Sequence, residues 1–218
     1  MAPRKTYELQ TTNKKRTKAT ITETNTSQPL FELDLGFITG DIKRSEGKHS
    51  IIMQTPSTGA SMPAHTVGVC DIQFSSLSKP IHIGFGDPEN APNDVVWQDL
   101  LVTKKLTAGN VAIGSAGGLE LNIDLGEGVG QRSFFWKRTS EIEGVSAIGG
   151  KMDWLHLKMV EKESDKAVAY FKHNFLFGSK RGTFILEEFD GGNEWEKIVM
   201  LSGCAVLEYM RKMTGWSW

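Results

Sequence analysis

The chain has 218 residues, 25 of them basic and 26 acidic, with two cysteines. That length buries most of the surface an unfolded chain exposes without disulfide support. The balanced charge leaves no global field to recruit nucleic acid or an anionic membrane, so any such contact has to come from a local patch. Cys70 and Cys204 lie in apolar runs and read as small buried hydrophobes, neither a redox pair nor metal ligands.

In chain order, Thr6–Gln10 and Lys18–Glu23 alternate apolar and polar side chains around Asn13-Lys14-Lys15-Arg16, the pattern of a β-hairpin with a basic tip. Leu30-Phe31-Glu32-Leu33-Asp34-Leu35 alternates cleanly, and Ile51-Ile52-Met53, Val67–Phe74 and Ile81–Phe85 are further strands, the last closed by a Gly86-Asp87-Pro88 turn. Val95–Leu101 fits a strand or a short helix. Leu106–Ile123 carries four glycines around apolar pairs and suits tight hairpins. Gly126-Glu127-Gly128-Val129-Gly130 lacks the spacing of either nucleotide-binding glycine motif and precedes a strand, so it reads as a hairpin loop. Strands follow at Arg132–Arg138, Trp154–Val160, Ala167–Lys172 and Gly182–Leu186.

The last element is a helix from Trp195 to Met213. Asn193 and Glu196 have capping-box spacing, acidic Asp190 and Glu194 sit at its start, and Arg211, Lys212 and a Gly215 stop sit at its end. Between Ile198 and Leu207 only Ser202 and Gly203 interrupt an apolar run, which leaves no polar face. A helix apolar all round is enclosed by protein or lipid. The charge-free run is about half of the 20 residues that a bilayer crossing needs. The economical enclosure is a sheet closed around the helix. One domain over 1–218 is therefore expected, with strands over about 5–188 and the core helix over about 193–213.

The Phe135-Trp136-Lys137, Leu157–Val160, Val168-Ala169-Tyr170 and Gly182–Leu186 strands, followed by the hydrophobic helix, together resemble the tubby C-terminal-like superfamily, its fungal members in particular. Tubby, LURP-one-related and phospholipid scramblase proteins share that fold. The resemblance implies a mainly β protein: a closed antiparallel β-barrel of about twelve strands around a buried hydrophobic C-terminal helix. It also implies a lipid-directed function, because tubby domains bind phosphoinositide head groups through clustered Lys and Arg. The nearest candidates are Lys137, Arg138, Lys172, Lys180 and Arg181, with Trp136 and Trp154 beside them as ligand-binding aromatics.

No metalloprotease, nucleophile-elbow or zinc-spacing motif is present, and the five histidines are scattered singly. Six tryptophans and eleven phenylalanines keep a second reading open: an aromatic-lined pocket acting as a cofactor-free cyclase or isomerase on a fungal secondary metabolite. Its candidate groups are His156, Asp99 and Asp153, with Asp71, Glu187 and Glu188 behind them. The pattern places His156 on the outer face or in a pocket lining. The first reading is a non-catalytic binding protein for a small hydrophobic molecule or a phospholipid head group. It needs no cofactor or metal, binds no nucleic acid and has at most peripheral membrane contact. A third is an interaction scaffold presenting Trp216 and Trp218. Met-Ala-Pro-Arg-Lys does not begin a secretory signal, so a cytoplasmic location is expected.

Overall fold

A computed structural model describes residues 4–26, 28–35, 49–57, 63–73, 79–103, 118–126, 128–139, 142, 156–174, 179–192 and 194–214, with side chains of the last segment to 211. Twelve strands run β1 Lys5–Thr11, β2 Lys18–Glu23, β3 Pro29–Asp34, β4 Ile51–Gln54, β5 Thr66–Asp71 and β6 Ile81–Phe85. They continue as β7 Val96–Val102, β8 Gly118–Asp124, β9 Gln131–Arg138, β10 Leu157–Glu161, β11 Ala167–His173 and β12 Lys180–Leu186, before α1 Trp195–Thr214. Each strand pairs antiparallel with its neighbours in sequence, and β1 pairs with β12 from Lys5↔Leu186 to Gln10↔Lys180, so the sheet closes on itself. Closure leaves no edge strand open to pairing with another chain.

The alternation visible in the sequence becomes the two faces of the wall. Phe31, Leu33 and Leu35, Ile51 and Met53, Leu119, Leu121 and Ile123, and Phe184 and Leu186 are buried, while the residues between them are partly or fully exposed. The 95–101 segment is a strand after a single 3-10 turn over Pro92–Asp94. The 126–130 segment is a hairpin turn in which Gly126, Gly128 and Gly130 all have positive φ, a conformation that glycine adopts without steric cost. Residues 104–117, within the predicted hairpins, lie outside the described residues.

Every residue of α1 from Ile198 to Met210 is buried. Its contacts reach around the wall. A Cβ on Gly68 of β5 would lie 2.6 Å from Leu201, and one on Gly203 would lie 2.6 Å from Phe184 of β12 and 3.2 Å from Trp136 of β9. The helix therefore plugs the barrel. At its start, Asn193 of the expected capping box lies outside the described residues, and the Glu196 carboxylate bonds the Lys5 ammonium of β1 at 2.5 Å. Burial together with the Glu196 carboxylate also raises the Tyr7 phenol pKa, so Glu196 ties the helix to the wall across the closing strand. At this end Trp195 packs against Phe189 and Phe134, with ring centroids 4.6 and 5.1 Å apart.

The two barrel ends differ. The short connections 24–28, 125–130 and 162–166 join strand ends on the side where the helix begins, whereas the longest in sequence, 35–50, 103–117 and 139–156, join strand ends on the side where it finishes. Most residues of these long connections are outside those described.

Candidate functional site

The long-loop end holds an open recess between α1 and the wall, lined by Leu9, Leu33, Leu35, Phe171, His173, Arg181, Cys204, Leu207 and Glu208. Its empty space is ≈ 330 Å³ with the open mouth included, and the part that centres of water molecules reach is ≈ 20 Å³. The inner part thus has room for a water or a small polar group.

A β-bulge builds the polar side of this recess. On β1, Leu9 pairs with Gly182 and Gln10 with Lys180, which leaves Arg181 without a partner position. One extra residue re-aims its side chain, and Arg181 turns toward the helix with 10% of its side chain exposed. Gly182 beside it is required by close approach: a Cβ there would lie 2.3 Å from the ring of Phe171, which forms the adjoining wall.

Arg181 Nη1 donates to Glu208 Oε1 at 3.3 Å, and Arg211 Nε donates to Glu208 Oε2 at 2.8 Å. Arg181 Nη2 donates weakly to the Arg16 carbonyl at 3.5 Å. Its Nε is buried and has no hydrogen-bond partner among the described residues. Burial lowers the Arg181 pKa and the Glu208 charge raises it; a guanidinium keeps its proton in such surroundings. A buried cation of this kind needs its donors satisfied, and two of its three nitrogens are.

The other titratable groups are neutral at pH 7. Burial, reinforced by His156 and Arg181, pushes the His173 imidazole down to about 4, and burial pushes the Cys204 thiol up to about 12. A general acid or base works best with a pKa near the operating pH, and a nucleophilic cysteine works as the thiolate. Neither group meets its condition.

The structure separates the cations that the sequence grouped. Lys137 faces outward and pairs with Asp165 at 3.2 Å; Lys180 pairs with Glu8; Lys172 is on the outer register of β11. Arg138 shares a face with inward-pointing Leu157 at the same barrel end as Arg181, and burial lowers its pKa. Only Arg181 reaches the recess. Trp136 is fully enclosed and belongs to the core, with its indole bonded to Ser202; Trp154 and Asp153 lie outside the described residues.

Of the two placements expected for His156, the outer face or a pocket lining, the structure excludes the outer face. The residue is 3% exposed, and its Nδ1 accepts the backbone N–H of His173 at 3.0 Å, so its polar edge serves the neighbouring strand. Asp99 is on the outer face, half exposed, with its carboxylate 2.6 Å from His82 Nδ1. Asp71 pairs with His49 at 3.0 Å and Glu187 with Arg4 at 2.9 Å. None of these carboxylates lines the recess. Nor do the tryptophans among the described residues line it: Phe171 is its one hydrocarbon ring among those residues, and four of the other eight lining residues are leucine. Among the described residues no group of three or more His, Cys, Asp or Glu is arranged to hold a metal, and no helix is long and apolar enough to cross a membrane.

Sequence reasoning missed Glu208, although a signal existed. It is the one charged residue between Ile198 and Met210, and a charge in a stretch with no polar face demands a partner inside the barrel.

Comparison of the chain with protein-family models, curated proteins and solved structures finds no match in any of the three.

Proposed function

We propose that this protein is a non-catalytic binding protein that takes a small hydrophobic molecule or a lipid head group at the long-loop end of its barrel, as a tubby-like protein would on the resemblance of its strands and helix. The observation that carries the reading is the recess itself, concave, walled mainly by apolar side chains and holding a buried ion pair, Arg181 with Glu208. That combination is characteristic of small-molecule sites, and binding loops are commonly set at one end of a rigid scaffold. The protonation of His173 and Cys204 favours binding over acid–base or thiolate chemistry.

A ligand that binds only the folded state raises the melting temperature by mass action. Thermal melts with a panel of amphiphiles, alongside co-sedimentation with neutral and phosphoinositide-containing vesicles, are expected to reveal binding that Leu35→Trp, which fills the recess, abolishes. A panel in which nothing shifts the melt and no vesicle is bound rejects the reading, as does binding indifferent to Leu35→Trp.

A second reading, an interaction scaffold, draws on a different surface from the Trp216–Trp218 tail, which lies outside the described residues. The large hydrophobics most exposed among the described residues, Val96, Trp97 and Leu101, are all on β7. Trp97 lies across Gly84, where a Cβ would come within 2.9 Å of its ring. Partner capture lost on Trp97→Ser and kept on Leu35→Trp would favour the scaffold over the recess.

A further inference from the structure

We infer that the outer face of β7 docks a basic segment of a partner protein, with an arginine of the partner against Trp97 and Asp99 and an apolar side chain against Leu101. This inference rests on the scaffold reading above and names the partner's chemistry. Three observations carry it.

The first is the exposed apolar pair. Leu100 belongs to the core and is fully buried, so Trp97, Asp99 and Leu101 share the outer face of the strand, with Trp97 46% and Leu101 40% exposed. Tryptophan is among the residue types that most often carry the energy of a protein interface.

The second is that Trp97 is held in place before any partner arrives. Its ring and the Val95 side chain would each meet a Cβ on Gly84 at 2.9 Å, and the His49 ring lies alongside with centroids 6.2 Å apart. A side chain already fixed loses little entropy when a partner covers it.

The third is charge. From Ile51 to Val102 the acidic residues are Asp71, Asp87, Glu89, Asp94 and Asp99, and the one basic residue is Lys79. Lys79 precedes β6, whereas Asp87, Glu89 and Asp94 follow it in the connection that leads into Trp97, so the two groups lie toward opposite ends of the wall. Glu89 and Asp94 are exposed and form no ion pair among the described residues. Asp99, half exposed beside Trp97, has Oδ1 2.6 Å from His82 Nδ1 and no hydrogen-bond partner for Oδ2 among the described residues. An apolar patch with carboxylates around it suits a cationic partner, because a guanidinium stacks on an indole and bonds a carboxylate at its edge. The same charges repel an acidic partner.

The test is calorimetric titration of the full chain at pH 7 with three short peptides in which leucine alternates with arginine, glutamine or glutamate. The arginine peptide is expected to bind about fivefold or more tightly than the glutamine peptide, the size of one exposed cation–π contact together with one exposed ion pair. No binding is expected from the glutamate peptide. Trp97→Ser should weaken the arginine peptide about tenfold or more, and Asp99→Asn, which keeps the shape, should remove most of the preference for arginine over glutamine. Equal affinity for the arginine and glutamine peptides, both lost on Trp97→Ser, overturns the basic partner and leaves the scaffold surface standing. Arginine-peptide binding that survives Trp97→Ser is general charge attraction and overturns the inference. Loss of that binding on Leu35→Trp places the peptide in the recess and overturns it too. Silence from all three peptides also overturns it, and the scaffold reading falls as well only if partner capture is indifferent to Trp97→Ser.

Discussion

The indole N–H of Trp136 on β9 donates to the Ser202 hydroxyl of α1 at 3.0 Å, and that hydroxyl donates in turn to the Ile198 carbonyl one helical turn back at 2.6 Å. The bond links the plug to the wall at a fully buried point. It also explains a polar residue in the middle of an apolar helix: Ser202 completes its own hydrogen bonding within the helix and supplies the acceptor that a buried tryptophan needs. Ser202→Ala strands the indole N–H, and the expected cost is about 1–3 kcal/mol in urea unfolding. A loss within experimental error would mean that another acceptor replaces the hydroxyl.

Gly203 is the contact point of the same helix with β9 and β12. Leucine there would drive into the Phe184 ring, already 2.6 Å from an ideal Cβ, and destabilise the barrel by about 1–3 kcal/mol. The Cβ of alanine meets the same ring, which offsets the about 1 kcal/mol of helix propensity that alanine recovers, so Gly203→Ala is expected to lie above Gly203→Leu in denaturant midpoint. Equal midpoints for the two variants would contradict the packing.

Acid sensitivity follows from His173. Its folded pKa of about 4 lies below the ordinary 6.5, so between those values the unfolded chain binds a proton that the folded one does not. Stability is therefore complete above about pH 6.5 and falls as the pH drops toward 4, by about 3 kcal/mol from this group. Comparing urea midpoints at pH 7 and pH 4.5 for the native chain and His173→Asn checks the sign: the variant should lose less on acidification. An identical loss in both would assign the sensitivity to other groups.

Deleting the chain from residue 193 onward removes the plug and leaves the inward face of the wall, from Ile21 and Met53 to Phe134 and Phe184, without its partner. No cooperative melt is expected from the shortened chain in calorimetry. A soluble product that melts cooperatively would show that the wall is stable without its helix.

Much of the architecture was legible because it rests on local periodicity. Two-residue alternation in Leu30–Leu35, β-branched and aromatic runs between glycines, and one helix with no polar face are each sufficient for their own element. Closure followed from the need to enclose that helix. The site was less legible. Arg181 and Glu208 are 27 residues apart in sequence, on a strand and a helix, and their meeting depends on a one-residue bulge that no local pattern announces. The adjacent Lys180 and Arg181 look like a matched basic pair in the sequence, yet one faces Glu8 on the outer wall and the other faces the core.

What the sequence by itself determined is the class of structure: strands, one enclosed helix, and hence a closed wall around it, because hydrophobic burial is set by which side chains share a face. What only the tertiary structure decided is the position of each charge. Burial of His156, the engagement of Trp136 by Ser202 and the turning of Arg181 into the recess all depend on register and on neighbours distant in the chain. Electrostatic and hydrogen-bond energies change steeply over a few ångströms and with desolvation, whereas apolar burial depends mainly on area.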